Sequence, residues 1–258
     1  VETLTPTLIE EIRRVRKTSF TLAPEAGTQR LRDIINKGNT EEELLATTTR
    51  VFAAGWKAVK LYFMLGLPGE REEDLEGIAD LAHKTLRTAQ NRGQVTVSLS
   101  TFVPKPHTPF QWQRQIGIAE TNARHEFFRR RLKNPNISVK WHDARMSLLE
   151  GIISRGGEEI GTLIETAFRL GCRFDGWSDR FRFDLWEEAI RQIGIDPESY
   201  LRERPLDEVF PWERIQSGLT REFLLSEAIK AEKGESTPDC RTGACSHCGV
   251  CDHRTVHN

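Results

Sequence analysis

The stretch "CRTGACSHCGVCDH", residues 240–253, carries Cys240, Cys245, Cys248 and Cys251 in the spacing C-x4-C-x2-C-x2-C. Thiolates are soft ligands that suit zinc and iron–sulfur clusters. Four of them in so short a run reach one ion or one cluster. A C-x2-C pair clamps tetrahedral zinc well, but structural zinc sites usually set two pairs apart by a longer loop. Consecutive C-x2-C-x2-C is common where one loop wraps an iron–sulfur core, and C-x4-C-x2-C is a plant-type ferredoxin spacing. The reading therefore favours an iron–sulfur cluster, with zinc as the alternative. Gly243 and Gly249 let the chain turn between ligands. His247 and His253 are read as neighbours more than as ligands. The rest of the chain holds one cysteine and opens on no signal peptide, so metal ligation is a better reading than disulfides.

Cys172 stands alone in "RLGCRFDGWSDRF" and is read as core packing. Asp175, Trp177 and Asp179 beside it either line a pocket or cap the next helix and fill the core. The basic run Arg129–Arg131 is read as a solvated helix face. With 37 basic and 38 acidic residues the net charge is −1, which gives no strong nucleic-acid or membrane-surface signal. The longest apolar stretch, "AVKLYFMLGL", is too short to span a bilayer. A cytoplasmic location is expected.

The elements that must position these residues alternate. Residues 7–16 read as an amphipathic helix, "TSFTLAPEAG" as a strand and turn, and residues 28–36 as a helix closed by Gly38. A helix follows from Thr40, where Thr40 and Glu43 fit a capping box. Leu44, Leu45, Thr48, Val51 and Phe52 form its apolar face, and Gly55 stops it. "KAVKLYFML" is almost continuously apolar, as in a parallel strand buried on both faces. A helix over residues 71–91 has an acidic first turn, an inner stripe of Leu75, Ile78, Ala82 and Leu86, and Gly93 as its cap. "VTVSLSTFV" is the next strand, residues 119–132 a helix, and "ISVKWHD" a marginal strand. Two helices over 144–170 break at Gly156–Gly157, and two more cover "DLWEEAIRQIG" and residues 220–233. Such alternation implies an α/β fold with a parallel sheet. The irregular turns "APEAGT", "GLPGE" and "PKPHTPF" all follow strands, on the edge where parallel α/β folds bind ligands.

"SFTLAPEAGTQRLRDIINKG", "VKLYFMLGLPGEREEDL" and "STFVPKPHTPFQW", in this order, resemble the later part of a radical S-adenosylmethionine (radical SAM) enzyme core. The likeness is closest to a group in which that core follows a cobalamin-binding-type domain, and more distant to the methylthiotransferases. It implies the second half of a partial TIM-type barrel over residues 1–143, a helical extension over 144–234 and a Cys-rich tail over 235–258. It implies S-adenosylmethionine as cofactor and an auxiliary iron–sulfur cluster in the tail, and it leaves cobalamin open. Glu25 matches the position facing the ribose or amino-acid moiety. Gly66, Leu67, Pro68 and Gly69 match the turn whose backbone supports the adenine. Pro104 and Thr108 lie in the segment that closes the site.

The family's C-x3-C-x2-C motif, which holds the radical-generating [4Fe–4S] cluster, is not in this sequence. The chain opens on Val1 and is read as a fragment, inactive alone. Its expected partner is the missing N-terminal half of the barrel or a separately encoded counterpart. The leading expectation is thus the C-terminal portion of a radical SAM enzyme that modifies an unidentified substrate, with RNA and protein both open. The alternative is a zinc-stapled RNA- or protein-binding module without catalysis.

Overall fold

A computed structural model describes Thr7, Glu11 and Ile12, residues 19–241 and residues 243–251. Of the helix expected over residues 7–16, those three residues are helical and the rest lies outside the described residues. The chain divides into two compact units. The first comprises residues 1–102, 121–142 and 227–243, and the second comprises 103–120, 143–226 and 244–258.

The first unit is an α/β layer. Its elements run β1 (Phe20–Glu25), α1 (Gln29–Ile34), α2 (Glu41–Ala53), β2 (Ala58–Leu65), α3 (Glu72–Thr88) and β3 (Gln94–Thr101). Helix α4 (Ile118–Arg131) and strand β4 (Ile137–Trp141) complete it. All four strands are parallel, in the order β1-β2-β3-β4. Helical crossovers join them, which is what parallel pairing requires, and the C-terminal ends of the strands share one edge. The marginal strand at "ISVKWHD" is β4, paired from Ile137 beside Val95 to Trp141 beside Leu99.

Three expectations about burial need correction. β2 is not buried on both faces: Val59, Leu61, Phe63 and Leu65 are fully buried, while Ala58, Lys60, Tyr62 and Met64 alternate with them half-exposed. Near-continuous hydrophobicity did not separate a two-sided strand from a one-sided one, because only the packed neighbours decide which face is covered. In α3 the buried face is Asp74, Ile78, Ala79, Leu81, Ala82, Thr85 and Leu86; Leu75 is half-buried. The helix ends at Ala89, ahead of Gly93, in a turn where Gln90 and Asn91 adopt positive φ. In α2 the capping box between Thr40 and Glu43 is present, but Thr47 is buried and Leu45 and Phe52 are half-buried.

The second unit is helical. Helices α5 (Ala144–Arg155), α6 (Glu159–Leu170), α7 (Phe183–Ile193) and the short α8 (Glu198–Leu201) enclose a core of Leu148, Ile152, Leu163, Cys172, Phe183, Trp186 and neighbours. A 3-10 turn at Pro211–Arg214 precedes α9 (Arg221–Lys233). Neither α8 nor this turn was expected from sequence, since four residues carry too little periodicity to register. Among the described residues no helix is long and apolar enough to cross a membrane.

Candidate functional site

At the edge of the sheet, β1 ends on Glu25 at φ 68°, a left-handed conformation that costs a non-glycine residue about 1 kcal/mol. A register shift between Leu22 and Glu25 carries β1 out of its ladder with β2. The Glu25 carboxylate pairs with Lys37 at 3.3 Å, and both side chains are partly exposed. The following turn packs hard against α3. A Cβ on Gly27 would lie 2.1 Å from the Asp74 carbonyl oxygen, and one on Gly77 would lie 2.8 Å from the Gly27 carbonyl oxygen. Only glycine at both positions allows that approach.

Asp74, 2% exposed, is the hub of this corner. Its carboxylate accepts from the Thr28 hydroxyl, from the Arg30 guanidinium and from the Arg71 backbone N–H at 2.7 Å. Thr28 also caps α1, accepting from the Leu31 N–H. Arg30 reaches on to donate to the Gly69 carbonyl at 2.9 Å. The helix start and the Gly66–Gly69 turn are thus tied to one carboxylate.

A second carboxylate holds the other side of that turn. Gly66 and Gly69 have φ 80° and 73°. Glu70 accepts from the Gly66 N–H at 2.8 Å and from the Arg124 Nε at 2.7 Å. Its side chain is 4% exposed. Burial pushes the Glu70 carboxyl above the ordinary glutamate value, outweighing the opposing pull of Arg124 and the Gly66 amide. Leu67 is buried beneath the turn, Pro68 half-buried and Gly69 exposed. The turn is thus exposed only at Gly69 and is anchored from within by the two carboxylates. Sequence reasoning missed Asp74, Arg30 and Arg124; the one signal available was the acidic first turn of α3.

Pro104 and Thr108 belong to the second unit. Pro104 is buried. The Thr108 hydroxyl donates to the Lys105 carbonyl at 2.8 Å, a local turn contact. His107, at φ 57°, donates its backbone N–H to Gln111 Oε1, which also accepts from the Trp212 Nε1 at 2.9 Å. His107, Gln111, Trp212, Arg221 and Leu224 line part of a cavity of about 310 Å3.

Cys172 is 4% exposed, and burial pushes its thiol up to about 11. It is a packing residue in the helical core. Trp177 is 68% exposed and does not fill that core, and no side chain of Asp175 or Asp179 caps α7. Arg129 and Arg130 pair with Glu126, and Arg131 with Glu76, as expected of a solvated face.

In the tail, Cys240 lies in the first unit and Cys245, Cys248 and Cys251 in the second. All four are half-buried. The His247 N–H donates to the Cys245 Sγ at 3.4 Å, and the Cys248 carbonyl accepts from the Thr220 N–H at 2.9 Å. Among the described residues no three His, Cys, Asp or Glu side chains are gathered closely enough to hold a metal ion. His253 lies outside the described residues.

Residues 1–82 match the family model of the Radical SAM superfamily. The match takes in β1, β2, the glycine turn and Asp74, and stops inside α3. Uncharacterized protein MJ0966 of Methanocaldococcus jannaschii is 29% identical over 195 residues, which cover 71% of this chain and 43% of that protein. The chain thus spans less than half the length of the curated relative it matches. No solved structure matches the chain.

The superfamily implies S-adenosylmethionine and a [4Fe–4S] cluster, and the residues present answer the two differently. The strand edge offers a pinned backbone turn and an accessible carboxylate, Glu25, which suit a nucleoside carrying an amino-acid moiety. No C-x3-C-x2-C triplet is present to hold the radical-generating cluster.

Proposed function

We propose that this chain supplies the S-adenosylmethionine-binding edge of a radical SAM enzyme. The observation that carries the reading is the Gly66–Gly69 turn at the C-terminal end of β2, fastened from both sides by buried Asp74 and Glu70. A turn held this firmly from both sides has little conformational freedom to lose when its surface meets a nucleoside. Glu25 faces the ribose or the ammonium of the amino-acid moiety. Its pairing with Lys37 is partly exposed and contributes at most about 1 kcal/mol, so the carboxylate can exchange partners. S-adenosylmethionine supplies, in this superfamily, the 5′-deoxyadenosyl group used for hydrogen abstraction from a substrate. Residues 1–258 hold no C-x3-C-x2-C triplet of thiolates for the radical-generating cluster. None of its residues is proposed to hold cobalamin.

The reading as an RNA-binding module gains no support: the arginine run of α4 is engaged by Glu126 and Glu76. Equilibrium dialysis of the chain against labelled S-adenosylmethionine tests the proposal. Saturable binding that Glu25→Ala weakens about tenfold, with the fold intact by circular dichroism, supports it. Absence of saturable binding, or binding indifferent to both Glu25→Ala and Gly66→Val, refutes it.

A further inference from the structure

We propose that Cys245, Cys248 and Cys251 bind a thiophilic metal centre, a zinc ion or an iron–sulfur cluster, on a backbone bed formed by residues 217–220. The inference stands on the second unit alone and is independent of S-adenosylmethionine binding.

Three thiols in a seven-residue run at two-residue intervals form a short chelate, and the backbone between them is already bent for it. His247 has φ 53° and Gly249 φ 97°, two left-handed residues within three positions. That bend brings the His247 N–H to the Cys245 sulfur at 3.4 Å. An amide aimed at sulfur fixes the direction in which that sulfur faces. The hydrogen bond is the outer-shell contact that such a ligand needs.

The run is also docked. The Thr220 N–H donates to the Cys248 carbonyl at 2.9 Å, so the backbone of a cysteine is tied to the start of α9. Next to it, a Cβ on Gly249 would lie 2.7 Å from Thr220 Cγ2 and 2.8 Å from the Gly218 carbonyl oxygen. Gly218 in turn faces Val250. Glycine at 249 therefore serves both the positive φ and the close approach. An exposed tail with no ligand to hold has no need of such a fit, since about twenty polar residues gain little by folding alone. The thiols gather when metal enters, because ligation and ordering of the last turn are one coupled event. Residues 217–219 also form a wall of the 310 Å3 cavity lined by His107, Gln111 and Trp212, so loading the centre stiffens that wall.

The test is metal and sulfide analysis of the full chain purified anaerobically, with its visible spectrum and a zinc titration of the metal-free form. About one zinc per chain without sulfide identifies an ion, whereas iron with stoichiometric sulfide and absorbance near 400 nm identifies a cluster. Either supports the proposal if Cys248→Ser lowers affinity at least tenfold while Cys172→Ser does not. Gly249→Val, which keeps every thiol, is expected to weaken binding about tenfold with the circular dichroism of the helices unchanged. A chain that neither retains metal nor binds zinc at micromolar concentration overturns the proposal. So does equal loss in Cys172→Ser and Cys248→Ser. Gly249→Val binding like wild type overturns the docked bed.

Discussion

The corner around Asp74 and the cysteine tail are both compact turns built on glycine, and they distribute their polar groups in opposite ways. At the corner the carboxylates of Asp74 and Glu70 are buried and saturated by Thr28, Arg30, Arg71, Gly66 and Arg124. In the tail the thiols are half-buried, and it is the backbone, through Thr220 and Gly249, that is secured. The corner is fastened through side chains, whereas the tail is fastened through its backbone. Asp74 and Glu70 therefore position the strand-end turn, and the cysteines are the residues proposed above to take a metal.

Substitutions should separate the two regions. The largest effect is expected at Gly27, where valine drives a branched side chain into the α3 backbone. We expect loss of several kcal/mol, about 3 or more, read by urea denaturation. Glu70→Ala should cost about 3 kcal/mol, because it leaves Arg124 without its carboxylate and the Gly66 amide without its acceptor. An equal stability in that variant would place Glu70 outside the structural hub.

The pH dependence of Glu70 sharpens the same point. Its folded carboxyl titrates above the unfolded value, so the folded state binds the extra proton in the interval between them. Its contribution to stability is therefore full below the ordinary glutamate value and declines as pH rises through the folded value. Thermal melts of wild type and Glu70→Gln should diverge across that interval, with only the wild type losing stability from this source. Parallel melting curves would remove the burial argument.

Thiol chemistry gives a smaller and purely kinetic contrast. With its thiol pushed up to about 11, Cys172 should resist iodoacetamide at pH 8 in the folded chain, while cysteines of the metal-free tail are alkylated. Peptide mass analysis reads this directly, and fast labelling of Cys172 would contradict its place in the core. The least effect is expected from Arg130→Ala: its pair with Glu126 is exposed, and stability should move by no more than about 0.5 kcal/mol.

Much of the fold was legible one element at a time. The Thr40–Glu43 capping box, the acidic start of α3 and the alternation of strands with helices each lie within a few residues of sequence, and each appears as read. The site was less legible. Glu25 and Gly66–Gly69 were singled out by resemblance, and what fastens them was not. Asp74 looked like one more acidic residue in a first helical turn. Leu75, its neighbour, looked like the core residue, and the structure exchanges their roles.

The sequence by itself determined where the longer helices and the four strands form, that four thiols lie within reach of one another along the chain, and that no apolar segment is long enough to cross a bilayer as a helix. These follow from periodicity, capping and spacing, all of which act over a few residues. Only the tertiary structure decided which face of β2 is covered, which carboxylates are buried and which glycines admit no Cβ. Thr28 and Asp74 are 46 residues apart, Glu70 and Arg124 54, and the bed under Gly249 comes from residues about thirty positions upstream. Burial of a charge is tolerable only where a distant segment delivers its partner, and no local pattern records that delivery.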